Sequence, residues 1–263
     1  AGAGAGAEAG AGAGDLAVIL KDVEYTRAEA NVKIEDLTLR LGEVVAVTGA
    51  NGSGKSSLFA LLQACGRATG APPSLQLRKA QRFFLSSSEM IHVTQRPYCP
   101  LHVRPIIWLS HPWRGGEEEE TLFASIVALA VRLNFFPNGQ TTAETMRELL
   151  LREQEDFCSS LSGGQMIKIE IIRSVLLRRD ACPPILLFDE TFAPLDPLSK
   201  ADLQSILKEA CPRSLMLVIY HNDISAEEGG QCVRGGGFFE DVLSFNNGTV
   251  SRVGTCEKQR RRR

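Results

Sequence analysis

Three groups of residues in this chain have the types and spacing to handle a polyphosphate. The first is Gly49-Ala50-Asn51-Gly52-Ser53-Gly54-Lys55-Ser56, which fits the G-x-x-x-x-G-K-[ST] pattern. Its glycines let successive backbone N–H groups curl inward around phosphate oxygens, and a helix starting there aims its positive end at the same anion. Lys55 supplies a mobile point charge for the β- and γ-phosphates, and Ser56 offers a hydroxyl to Mg²⁺. Asn51, Ser53 and Ser57 belong to the same candidate nucleotide-binding set. The second group is Ile185-Leu186-Leu187-Phe188-Asp189-Glu190, four apolar residues followed by two carboxylates. Asp189 closes a buried strand at the end where open α/β sheets hold ligands, so it is predicted to hold Mg²⁺ through the ion's water shell. Glu190 falls one residue nearer the γ-phosphate and is the candidate general base for an attacking water. The third group, Leu161-Ser162-Gly163-Gly164-Gln165, precedes an amphipathic helix. Ser162 suits the N-cap, and the two glycines permit close backbone approach. One triphosphate needs only one such cradle, so a second implies use in trans.

Positioning these groups requires alternating strands and helices. Residues 16–25 and 32–41 read as β-runs, residues 43–48 as a short buried strand, and residues 56–63 as the helix after the glycine loop. Residues 90–94 predict another strand. Residues 117–133, 142–157 and 167–179 have helical periodicity. The continuous apolar runs 185–188 and 215–220 fit parallel strands buried on both faces. The alternation predicts an α/β fold with a parallel sheet.

Composition narrows the partners. The 263 residues are 44% hydrophobic and 23% charged, values of a globular chain able to bury a core. Lys plus Arg is 29 against 31 Asp plus Glu, a balance that argues against nucleic acid as the main partner and against a strongly basic membrane-surface protein. The longest apolar run, 121–136, is interrupted by Arg132 and Asn134 and falls short of the ~20 residues that span a bilayer. Seven scattered cysteines without a C-x-x-C pair predict reduced thiols in a cytosolic compartment. Residues 1–14 alternate Ala and Gly and read as a disordered leader, and residues 257–263 form a basic tail.

In this order the three motifs resemble the nucleotide-binding domain of ATP-binding-cassette (ABC) proteins, over roughly residues 16–253. The resemblance implies further residues. Gln95 looks like the Q-loop glutamine, which touches Mg²⁺ and the coupling interface, and His221 looks like the switch histidine that senses the γ-phosphate. Asp196 looks like the D-loop aspartate, and Tyr25 sits where the family places an aromatic on adenine. The implied catalytic set is Glu190, His221 and Lys55; Ser56, Gln95 and Asp189 form the Mg²⁺ set, and ATP with Mg²⁺ is the cofactor pair. The implied fold is a P-loop NTPase cassette, residues 15–256. It has a RecA-like parallel-sheet core, an N-terminal antiparallel β subdomain and an inserted α-helical subdomain at about residues 97–180. Implied partners are a second ABC domain, identical or not, closing head to tail, and a transmembrane domain on another chain or in a missing part of this one. The implied place is the cytosolic face of a membrane, with no nucleic acid involved.

Residues 54–59, 95–101 and 104–112 further resemble subfamily D transporters of peroxisomes and their bacterial relatives, which implies a fatty acyl cargo and a peroxisomal membrane. Some residues depart from the family pattern. Ala193 stands where a hydroxyl is usual, Lys168 where arginine is usual, and Glu170 where a small residue is usual. Two other readings stay open: a soluble, non-transport ABC ATPase, and a nucleotide-binding module with little hydrolysis.

Overall fold

The computed structural model describes residues 15–66, 74–94, 97–111, 118–137, 139–178, 182–220 and 237–254. The chain begins with two long strands, β1 (Leu16–Arg27) and β2 (Ala30–Arg40), paired antiparallel, and continues into β3 (Val44–Gly49) and helix α1 (Lys55–Gly66). β4 (Leu75–Leu85) returns to the free side of β1, and β5 (Met90–Thr94) crosses to the far edge of the sheet. Helices α2 (Pro105–Ser110), α3 (Glu119–Arg132), α4 (Ala143–Leu151) and α5 (Gly163–Ile171) then separate β5 from β6 (Ile185–Asp189). Helix α6 (Pro197–Ala210), β7 (Leu215–Ile219) and the hairpin β8 (Asp241–Asn246) with β9 (Thr249–Gly254) complete the order. Among the described residues nine strands form one sheet, ordered β4-β1-β2-β9-β8-β3-β7-β6-β5. β8, β3, β7, β6 and β5 run parallel, as the apolar runs predict, and the antiparallel strands gather at the other end.

Alternation along the parallel strands builds two cores. Val44 and Ala46 of β3, Leu186 and Phe188 of β6 and Met216 and Val218 of β7 face the helices α3, α5 and α6. Val45, Val47, Leu187, Leu217 and Ile219 face the other way, onto Leu58, Phe59 and Leu62 of α1 and the inner side of β1 and β2. Both faces of the central strands are therefore closed to water.

Several local features differ from the sequence expectations. The helix expected over residues 142–157 stops at Leu151. Thr142 starts it with a reciprocal cap to Thr145, but residues 152–157 form irregular bends and a turn, and Gln154 bonds Val103 in an isolated bridge. A five-residue π-helical stretch, Ile172–Leu176, follows α5 in place of a continuous helix. Among the described residues the thiols are not all reduced. Cys99 is joined to Cys158 and Cys182 to Cys211, with Cα atoms 6.2 Å and 5.4 Å apart, while Cys65 stays free. The fold brings together cysteines that are 59 and 29 residues apart, so their linear spacing concealed the pairs. The leader 1–14 and tail 257–263 lie outside the described residues.

Leu217 is wholly buried in the middle of β7. Leu217→Ala should lower the unfolding free energy of the full chain by about 2–5 kcal/mol, the range for emptying a packed core site, as read by urea denaturation.

Candidate nucleotide site

The glycine loop follows β3 and opens α1, as expected. Gly49 and Gly54 both need to be glycine. Their φ values are +145° and +103°. An added Cβ at Gly49 would lie 2.5 Å from Phe245 O, and one at Gly54 would collide with Val32. Lys55 is buried to 6% exposure, and its Nζ donates to Gly49 O at 2.8 Å and Ala50 O at 2.9 Å. Burial pushes its ammonium below the ordinary lysine value, against the opposing pull of Glu190 and Asp189.

β6 delivers the two acids to the same place. The Ser56 hydroxyl lies 3.4 Å from Asp189 Oδ1, and His92 Nε2 lies 3.9 Å from Asp189 Oδ2, with the His92 ring edge-on to Phe59. Burial raises the Asp189 carboxyl above the ordinary carboxylate range; His92 and Ser56 pull it back, and Glu190 adds to the rise. A hydroxyl and a carboxylate converging beside a phosphate-type loop are hard oxygen donors, a set that fits Mg²⁺ completed by phosphate oxygens and water. Glu190 has φ +53°, a left-handed conformation that a non-glycine residue rarely takes, and such strain concentrates at functional sites. Thr191, fully buried, holds the turn by donating its hydroxyl to Val93 O at 3.1 Å.

Lys55, Ser56, Ser57, Asn51 and Glu190 all line one cleft of about 560 Å³, with Arg27 on its wall. A second cleft of about 530 Å³ continues past the loop, sharing Glu29, Ala30, Asn51 and Gly52 and reaching Ser53, Asn246 and Asn247. Ser162–Gln165 line neither cleft. Ser162 caps α5, accepting from Gln165 N at 3.2 Å while Gln165 Oε1 accepts from Ser162 N at 2.9 Å. Gly163 and Gly164 lie against Pro194 and Leu195. Asp196 caps α6 by accepting from Leu198 N and Ser199 N, and its bonds with Ser199 hold the carboxyl below the ordinary range. Gln95 and His221 lie outside the described residues.

Tyr25 requires correction. Its ring is 0% exposed among Val23, Val32 and Ile34, burial drives its hydroxyl pKa upward, and it does not line either cleft. Tyr25 lies on the inward face of β1, one pleat repeat too deep. Arg27, two residues on, clears the core and donates Nη1 to Ser56 O at 3.2 Å. The period-2 pattern Val23, Tyr25, Arg27 held that signal, with the polar residue marking where the face leaves the core.

A family model for ABC transporters matches residues 32–193, more than half of the chain. The thiamine import ATP-binding protein ThiQ of Haemophilus ducreyi is 28% identical over 222 residues, which cover 78% of this chain and 85% of that protein. The lipopolysaccharide export system ATP-binding protein LptB of Acidithiobacillus ferridurans is 26% identical over 211 residues, covering 77% and 78%. Among solved structures, cbiO1 of Clostridium perfringens, part of the cbiONQ ABC transporter complex, superposes with a TM-score of 0.61 at 17% identity, covering 94% of this chain and 92% of that one. This is a likeness of fold.

The raised carboxyl of Asp189 gives a stability test with a definite sign. Folding disfavours its charged form, so above the ordinary carboxylate range the ionised group lowers stability, and at acid pH, with the group protonated folded and unfolded, the penalty vanishes. In metal-free buffer Asp189→Asn should melt higher than the parent at neutral pH, with the gap closing toward pH 3, as followed by scanning calorimetry. A lower melting point at neutral pH would contradict this account.

Proposed function

This chain belongs to the ABC transporter family, an ATPase cassette by that membership, and from that premise we propose that two such cassettes close head to tail on two ATP molecules to drive a membrane transporter. The observation behind the pairing is a separation within one copy. Lys55, Ser56 and Glu190 line one cleft, with Asp189 beside Ser56, while the capped helix start at Ser162–Gln165 stands outside it, its Gly163 and Gly164 N–H groups offered to a nucleotide held by another copy.

Lys55 leaves the carbonyls of Gly49 and Ala50 and turns to the β- and γ-phosphate oxygens. Ser56 and Asp189 would hold Mg²⁺, which when bound would supply positive charge against the triphosphate. Glu190 accepts a proton from a water that attacks the γ-phosphorus; the bond to the bridging oxygen breaks, and ADP and phosphate leave. His221 and Gln95 keep their roles in this proposal as γ-phosphate sensor and Mg²⁺ contact. Arg27, in place of Tyr25, offers the purine a guanidinium face on the wall of the cleft. Loss of the γ-phosphate between the two cradles lets the pair open.

No helix among the described residues is long and apolar enough to cross a membrane. The transmembrane part is therefore assigned to another chain or another part of a longer protein, with this cassette on its cytosolic side and no nucleic acid involved. The likeness to subfamily D has no counterpart among the relatives above, which serve thiamine import and lipopolysaccharide export by name. The proposal accordingly names no cargo and no organelle.

Glu190→Gln should retain ATP binding and lose turnover by roughly 10²-fold or more, as measured by phosphate release. Unchanged turnover would remove Glu190 as the base. Arg27→Ala should raise KM for ATP roughly 2- to 10-fold, the worth of one cation–π contact, with kcat little altered.

A further inference from the structure

Three helices meet at one buried ammonium. Lys168, on α5 and 6% exposed, donates Nζ to Asn134 O at 2.8 Å and to Ser199 Oγ at 2.9 Å. Asn134, in a left-handed conformation, closes the C-terminal end of α3, where unpaired carbonyls and the negative end of the helix favour a cation. Ser199 lies in the first turn of α6, with its N–H held by Asp196, and the carboxylates of Asp196 and Asp202 both attract the ammonium.

A second contact lies at the start of α5. A Cβ on Gly163 would sit 3.2 Å from Pro194 Cβ, and one on Gly164 would sit 3.4 Å from Pro194 O. The helix start and the 194–199 segment thus touch directly through backbone and again through Lys168. That segment leads back to the cleft through two consecutive turns, Ala193 N to Glu190 O at 3.2 Å and Leu195 N to Phe192 O at 3.3 Å.

We infer that Lys168 is a positioning residue that fastens α5 to the Glu190–Asp196 turn, so that Ser162–Gln165 moves with the catalytic turn of its own copy. Under the head-to-tail pairing on which this inference rests, those residues serve the partner's nucleotide. A change at one Glu190 is therefore passed to the other site through Lys168, and the two sites hydrolyse ATP cooperatively. The residue stands outside both clefts, so it acts without touching the nucleotide.

The test uses the full chain with ATP and Mg²⁺. Lys168→Met keeps the length of the stem and removes both hydrogen bonds; Ser199→Ala removes one of them and is the milder variant should the first fail to fold. Expected are a Hill coefficient for ATP hydrolysis that falls to about 1 and a turnover reduced roughly 5-fold or more. Affinity for a fluorescent ATP analogue should stay within about twofold of the parent, because the cleft is untouched, whereas a general loss of structure would move it too. A folded Lys168→Met or Ser199→Ala protein with parental cooperativity overturns the inference, as does a parent with a Hill coefficient of about 1. Dimerisation of Glu190→Gln with ATP, followed by light scattering, reports the pairing separately. If that dimer forms while Lys168→Met keeps parental cooperativity, the pairing stands and the role of Lys168 falls.

Discussion

Asp189 and Glu190 emerge from a strand that water does not touch. Ile185, Leu186, Leu187 and Phe188 are all fully buried, held between β5 and β7 and sealed by α3, α5 and α6 on one face and by α1 with β1 and β2 on the other. This constraint governs the site. A strand closed on both faces has one place to expose polar groups, its C-terminal end, and the parallel order puts the end of β3 close by. The glycine loop and the two acids become neighbours because their strands share a sheet, although more than 130 residues separate Ser56 from Asp189. Half-desolvation then acts on opposite charges, raising the Asp189 carboxyl and lowering the Lys55 ammonium. Both groups are left short of charge stabilisation, which a triphosphate with its metal ion would supply.

Local patterns were legible because their physics is local. A glycine loop, an apolar tetrad before two acids and a serine N-cap each announce themselves within eight residues. The parallel strands were legible from unbroken apolar runs. Elements defined by distant partners were not. β4 reads as polar and largely exposed, and it is a strand only because β1 offers it an edge. α6 has no counterpart among the sequence expectations; with Asp196 capping before it, Pro197 sits at the first helical turn, where its missing N–H does no harm. Tyr25 failed as a base platform for a related reason. The pattern gave the correct face of β1, but how far the core reaches along that face depends on Val32 and Ile34 across the sheet.

The hairpin of β8 and β9 bears on the same loop from outside. Arg252 pairs with Glu43 at 2.9 Å and with Asp241, tying the hairpin to the entrance of β3, while Phe245 packs under Gly49. The glycine loop is thus braced at its root by residues that never meet a nucleotide. A substitution there acts on binding through backbone position alone.

Lys55 gives the loop a further property. With its Nζ on Gly49 O and Ala50 O, the ammonium occupies the centre of the curl and keeps it wound before any ligand arrives. At this loop, then, Lys55 meets an incoming phosphate by swinging one side chain off two carbonyls, a change confined to its rotamer.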